Sequence, residues 1–185
     1  MGVRIAGLLL AAGAGARYGR PKALVDTGAG PWVRRSVDAM RACDPLVVVV
    51  GARADEVIAF LPTGVTVTRN DSYARGMGSS LRLGLHALPE CDAVLVMLVD
   101  LPDVGAPVVR RVLDAAGPRA RTALVRASYQ GRPGHPVLIG RDHWSGVLAT
   151  IGADEGARRY FRDHPPTPVE CGDLATGRDV DRPTP

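Results

Sequence analysis

Leu10 to Leu24 reads LAAGAGARYGRPKAL, and its residue types suit a grip on anions. Gly13 and Gly15 let the backbone turn sharply and lie close to a ligand, with N–H groups pointing inward. Arg17 and Lys22 add two cations to the same loop. Cations together with bare amides suit a triphosphate. Lys22 is the only lysine of the chain, against 22 arginines. A compact ammonium kept where every other basic side chain but histidine is a guanidinium fits a position that needs a point charge. Two familiar phosphate loops do not match. The Walker pattern needs Gly-Lys-Ser/Thr opening a helix, and here the order is Gly19-Arg20-Pro21-Lys22. A dinucleotide fingerprint needs GxGxxG running into a helix, and here Gly13-x-Gly15 is followed by Gly19 and Pro21.

A carboxylate comes next. Asp100 follows the apolar run AVLVMLV, so it stands at the end of a buried strand, where an oxygen ligand for a hard dication is held rigidly. Pro102 stiffens the following turn, and Asp103 is expected to cap the next helix. Asn70 to Gly84, NDSYARGMGSSLRLG, offers backbone and hydroxyl groups at a helix start for polar recognition. Neither Ser79 nor Ser80 lies in a GxSxG elbow, so a serine nucleophile is not indicated. His86, His143 and His164 show no zinc-ligand spacing.

The elements that must position these groups alternate. Apolar runs at Val3–Ala11, Leu46–Val50 and Ala93–Val99 read as buried strands, with shorter ones at 65–68, 122–127, 135–139 and near Val169. Helical spacing covers 31–43, 54–61, 79–88, 107–116, 143–150 and 154–163, the last capped by Asp154. Strands alternating with helices predict an α/β fold, a mostly parallel twisted sheet covered on both faces. In such sheets ligands bind at the carboxyl ends of the strands, which is where Gly13 and Asp100 fall.

Composition narrows the classes further. The chain has 185 residues, 46% hydrophobic and 23% charged, ordinary for a globular domain. No unbroken apolar stretch is long enough for a membrane span. The net charge of +4 fits anionic substrates, and 4% aromatics supply no stacking platform for nucleic acid. Cys43, Cys91 and Cys171 lie far apart and form neither a disulfide framework nor a metal knuckle, which points to a reducing, cytoplasmic setting.

The loop resembles LAAGxGxRxGxxK, the signature of nucleotidyltransferases with the MobA-like fold. Similarity runs in order from Ile5 to Pro183, so residues 1–185 are expected to be one such domain, a three-layer α/β/α, Rossmann-like sheet of the nucleotide-diphospho-sugar transferase type. The resemblance implies that Leu10, Ala11, Ala12, Gly13, Gly15, Arg17 and Lys22 bind the nucleotide, with Arg17, Lys22 and Asp100 catalytic. Asn70–Gly84 is similar to the family stretch contacting base and ribose, which implicates Asn70, Gly76, Met77, Ser79 and Ser80; Tyr73 stands where tryptophan is frequent. Asp100-Leu101-Pro102 matches the DxP motif that supplies a magnesium ligand. GRDVDRP resembles a closing DxDTPED motif, adding Asp179 and Asp181 to the metal set, although Arg182 replaces threonine. GRPGHPVLIGRDHW and ADEGARRY resemble the HisPro and GDxGAR segments of the molybdopterin-linked subgroup, with Ala153 intruding after Gly152. They place His135, Asp154 and Arg158 toward the acceptor; His135 equally suits a buried, hydrogen-bonded role.

What the resemblance implies is a Mg2+-dependent transfer of a nucleoside monophosphate to molybdopterin with release of pyrophosphate. Leu10-Ala11-Ala12-Gly13 favours CTP over GTP, since guanylyl members resemble LAGG. A recipient molybdoenzyme or an insertion chaperone is the implied protein partner, with neither nucleic acid nor membrane. Two alternatives stand beside it: a sugar-phosphate or polyol-phosphate acceptor on the same fold, and a non-catalytic chaperone that binds nucleotide or pterin.

Overall fold

The computed structural model describes residues 2–152 and 155–182. Its strands are β1 (Ile5–Ala11), β2 (Leu46–Val50), β3 (Thr66–Arg69), β4 (Ala93–Leu98), β5 (Leu124–Tyr129), β6 (Arg132–Gly140) and β7 (Thr167–Glu170). Its helices are α1 (Trp32–Ala39), α2 (Ala54–Ile58), α3 (Met77–Ala87), α4 (Ala106–Ala116), α5 (Trp144–Thr150) and α6 (Arg158–Asp163). The strands form one sheet in the order β3-β2-β1-β4-β6-β5-β7. Neighbours run parallel except for β6, which is antiparallel to both β4 and β5. Helices α1, α2 and α4 bury Trp32, Val33, Val57 and Val108 against one face. Helices α3, α5 and α6 bury Leu81, Leu85, Val147 and Tyr160 against the other. The expected three layers are present, and β1, β2 and β4 read as unbroken apolar runs because both of their faces are covered.

The order of the strands fixes where a ligand can enter. After β1 the chain crosses to β2 on one side, and after β4 it crosses toward β5 and β6 on the other. β1 and β4 are neighbours in register, Leu10 beside Leu98, so the loops leaving their carboxyl ends diverge and open a crevice. The glycine loop and Asp100 are the two lips of that crevice.

Several boundaries differ from the sequence expectation. α1 ends at Ala39, with Met40 as its C-cap, short of the expected end at Cys43. α3 begins at Met77, two residues early, from Gly76 in a left-handed conformation (φ 98°). Asp103 does not cap α4, whose N-cap is Gly105. Its Oδ2 instead accepts from Thr176 N and Thr176 Oγ1 at 2.6 Å each, tying down the C-terminal segment. α6 starts only at Arg158, and the expected cap Asp154, like Ala153, lies outside the described residues. Among the described residues no helix is long and apolar enough to cross a membrane.

Glu170 closes the edge of the sheet. Its carboxylate accepts from Ser128 Oγ (2.8 Å), Gln130 N (2.7 Å), Gly131 N (3.2 Å) and Gly172 N (2.9 Å), clasping the β5–β6 turn. The hydrogen bond from Ser128, then those from the backbone amides, pull its pKa down to about 2 from 4.5. A depressed carboxylate stabilises the fold in full above its unfolded value and loses that contribution as pH falls through the folded value. Glu170→Gln is therefore expected to lower the melting temperature at pH 7, and the gap to the parent protein should close between pH 4.5 and pH 2. A gap independent of pH in thermal melts would show that the charge plays no part.

Candidate functional site

The loop after β1 is held open by its own geometry. Tyr18 N and Gly19 N both donate to Gly15 O, at 2.9 and 2.8 Å. The Tyr18 ring packs edge-on against Trp32, with centroids 5.7 Å apart. Gly15 adopts φ 64°, and a Cβ there would collide with the Arg20 carbonyl. Among the described residues, the amides of Gly13 to Arg17 donate to no backbone acceptor outside regular helices and strands and to no side chain. They form one wall of a cleft of about 350 Å3 that also takes in Leu10, Ala12, Arg17, Lys22, Gly76 and Ser80. Gly15→Ala is expected to weaken NTP binding about ten-fold or more, from left-handed strain plus the clash. Calorimetric titration checks it, and equal affinities would remove the loop from the phosphate grip.

Across the cleft lies a cluster of charge. Lys22 Nζ donates to Asp100 Oδ2 at 2.9 Å and to Asp181 Oδ1 at 2.7 Å, with the lysine side chain only 13% exposed. Arg17, largely exposed, reaches Asp181 Oδ2 at 2.8 Å. Burial pulls the Lys22 ammonium down, but its hydrogen bonds to Asp181 and Asp100 outweigh that and raise it above its ordinary value. The same bond from Lys22 holds Asp181 below the usual carboxylate range. Asp100, Asp179 and Asp181 offer ligand oxygens that all lie within 4.8 Å of one another.

The C-terminal acids are delivered by the tail, which is pinned rather than loose. Besides the Asp103–Thr176 tie, Gly177 (φ 61°) passes so close to the Tyr129 ring that a Cβ would strike it. Val180 N then donates to Asp100 O at 3.1 Å, setting Asp179 and Asp181 on either side of that contact. Asp100 Oδ1 is buried with no hydrogen-bond partner. An orphaned carboxylate oxygen inside a set of three acids is the donor chemistry of a hard divalent cation, so these residues fit a magnesium or manganese ion.

A second cavity of about 240 Å3 shares Leu10, Met77, Leu98 and Asp100 with the first. It runs beneath β4, β6 and α6 and contains His135, Arg158 and Asp179. Burial first, then the charges of Arg126 and Arg158, push the His135 imidazole down to about 3, so it stays neutral at ordinary pH. Tyr129 Oη donates to His135 O at 2.6 Å and fixes that stretch. Of the expected acceptor residues, Asp154 lies outside the described residues.

Not every expected nucleotide residue faces the cleft. Ala11 points into the core layer under α1. Asn70, 5% exposed, commits its amide internally: Nδ2 donates to Ser79 Oγ and Ser80 Oγ at 2.9 Å each, and Oδ1 accepts from Ser72 N at 3.0 Å. Asn70 and Ser79 border a separate depression with Arg75 and Arg82. Asn70 thus clips the start of α3, where Gly76 at the N-cap and Met77 and Ser80 in the helix do line the cleft. Sequence reasoning missed Arg126, which lines the second cavity; in LVRASY it alternates with apolar residues as a solvated strand position would.

Residues 7–168 match the family model described as the MobA-like NTP transferase domain. The chain is 35% identical over 189 residues to nicotine blue oxidoreductase of Paenarthrobacter nicotinovorans, covering 96% of this chain and 92% of that protein. The crystal structure of Rv0371c from Mycobacterium tuberculosis H37Rv matches with a TM-score of 0.82 at 26% identity, covering 98% of this chain and 95% of that one. A manganese complex of Rv0371c matches at 0.77 and 25% identity, over 96% and 94%. A nucleotidyl transferase from Methanothermobacter, 23% identical, shares the fold at 0.82 over 98% and 93%.

Proposed function

The chain belongs to the MobA-like NTP transferase family, and on that premise we propose that it transfers a nucleoside monophosphate from CTP to a phosphate oxygen of a molybdopterin-type acceptor. The observation that carries this is the meeting of two cavities at Asp100, one walled by open amides, Arg17 and Lys22, the other lined by apolar side chains together with Arg126, His135 and Arg158. The loop amides and Arg17 hold the polyphosphate. Lys22 leaves its carboxylates for the phosphates and offsets charge on the departing pyrophosphate. Asp100, Asp179 and Asp181 would hold the divalent ion, taken to be Mg2+. When bound, that ion supplies charge neutralisation and alignment of the phosphate oxygens.

The acceptor lies in the second cavity with its phosphate toward Asp100. A bond forms from an acceptor oxygen to the α-phosphorus of the NTP, and the α-phosphorus bond to the bridging oxygen breaks. Leu10, Met77 and Leu98, shared by both cavities, keep water from the reacting centre. Positioning and charge carry such a transfer, and no protein nucleophile is required. Ala12 on the cleft wall, in the LAAG form of the loop, supports CTP.

The test is pyrophosphate release from each of the four NTPs with Mg2+ against molybdopterin-type, sugar-phosphate and polyol-phosphate acceptors. Release with CTP and the pterin alone is expected. Release only with a sugar or polyol phosphate would move the acceptor class, and nucleotide binding without release would favour a carrier role. The relative named nicotine blue oxidoreductase favours a second reading, an oxidation–reduction in the same cleft. Turnover of nicotine blue with an added two-electron donor, in the absence of pyrophosphate release, would establish it.

A further inference from the structure

Strand β5 reads LVRASY. Val125, Ala127 and Tyr129 pack into the layer under α4, and Leu124 packs into the opposite one. By the two-residue period Arg126 shares the face of Leu124. Register sets Arg126 beside Val137 of β6, and Val137 beside Val96 of β4. A guanidinium therefore ends a cross-strand row of two buried valines. The pairing shifts between Arg126 and Ser128, an irregularity of the kind that re-aims a side chain.

Arg126 is half-buried, and its Nε donates to Gly134 O at 2.9 Å. Among the described residues its terminal nitrogens make no hydrogen bond, and no carboxylate comes within ion-pair range. Its Cζ lies 6.0 Å from the centre of the Phe161 ring. Arg158 lines the same cavity, and among the described residues it too has no ion-pair partner. Burial, and then the charge of Arg158, disfavour the Arg126 cation. The acids lining this cavity are otherwise engaged: Asp100 bonds Lys22, Asp179 belongs to the carboxylate cluster, and Glu155 points to Arg162 at 4.0 Å. Two like charges in a half-closed cavity raise the energy of the protein alone, and an anion entering between them relieves it.

We propose that Arg126 determines acceptor specificity: with Arg158 and His135 it forms a second anion subsite, so that the acceptor carries a further anionic group besides the phosphate that reacts. β5 lies two strands from β4, about 10 Å at ordinary strand spacing, so that group sits roughly that far from the Asp100 end, across the Val96–Val137 floor. The inference rests on the second cavity being the acceptor's. It narrows the substrate class to elongated molecules with anionic groups at two separated positions.

Inorganic phosphate is the probe. Labelled wild-type, Arg126→Gln and Arg126→Lys proteins are titrated by NMR, with the His135 imidazole reporting the subsite and the Gly13 and Gly15 amides reporting the loop. In the wild type both sets of signals shift. In Arg126→Gln the loop midpoint stays, while the His135 midpoint rises at least ten-fold, with Arg126→Lys in between. A His135 signal that stays still in the wild type while the loop saturates, or an unchanged midpoint in Arg126→Gln, overturns the proposal. Without phosphate the Gln variant should melt no lower than the wild type. A lower melting point with unchanged His135 titration would make Arg126 only a strut for Gly134. Absence of pyrophosphate release from every NTP and acceptor, with His135 still titrating, would remove the transfer reaction and leave the subsite standing.

Discussion

Asp100→Asn is expected to reduce kcat by about a thousand-fold or more, with the fold intact. Electrostatic groups aimed at a reacting centre are each worth two to three orders of magnitude, roughly, and Asp100 stands where the two cavities join. An amide fills the same volume. Lys22 keeps its bond to Asp181, and the buried Oδ1 position has no protein partner to lose. The melting temperature should therefore move by no more than about 2–4 °C, the scale of 1 kcal/mol for a chain of this size. Pyrophosphate release and a thermal melt on the same sample check both halves. Mn2+ titrated into the variant should bind at least about ten-fold more weakly, as the loss of one of three carboxylates implies. Turnover within a few-fold of the parent protein would take Asp100 out of the mechanism.

Lys22→Met carries the opposite pair of expectations. The ammonium lies between Asp100 and Asp181, in the space a cation held by the three acids would need. Its removal frees two carboxylates that it now neutralises, so Mn2+ binding to the protein alone should tighten, by about ten-fold on the scale of one screened charge pair. Turnover should fall about a hundred-fold or more, because the same ammonium is needed on the phosphates. Lys22→Arg should not restore it. A planar fork in a position only 13% exposed cannot pass from carboxylates to phosphate as a compact point charge does. Metal affinity that falls in Lys22→Met would mean the ammonium assists the ion rather than replacing it. Loss of one function with gain of the other cannot come from simple unfolding.

The parts of the site written in short stretches were the legible ones. The glycine loop announced itself by local spacing, and Asp100 by the apolar run before it, because a buried parallel strand is continuous in sequence. The three layers followed from alternation alone. The antiparallel place of β6 was not readable, since pairing direction is set by topology. Arg126 was invisible for a related reason: a charge in LVRASY looks like any solvated strand position until register sets Val137 and Val96 beside it. Asn70 and Ser79 looked like recognition groups because their chemistry fits, but their hydrogen bonds are closed among themselves. Asp103 looked like a cap, yet it serves the distant Thr176, a contact across 73 positions that local patterns do not encode. Asp179 and Asp181 were approachable only through resemblance, and the Tyr129–Gly177 crossing that holds them has no sequence signature.

The bond between Lys22 and Asp181 joins positions 159 apart. A growing polypeptide therefore lays down the first half of this charge cluster long before its counterpart leaves the ribosome. Until residues 176–181 thread past Tyr129 and dock on Asp100, the sheet can be complete while the acid pocket is not. The three acids come together only once residues 176–181 have docked. A protease that trims the molecule just before Thr176 would release a body with every described strand and helix in place and two of the three acids gone.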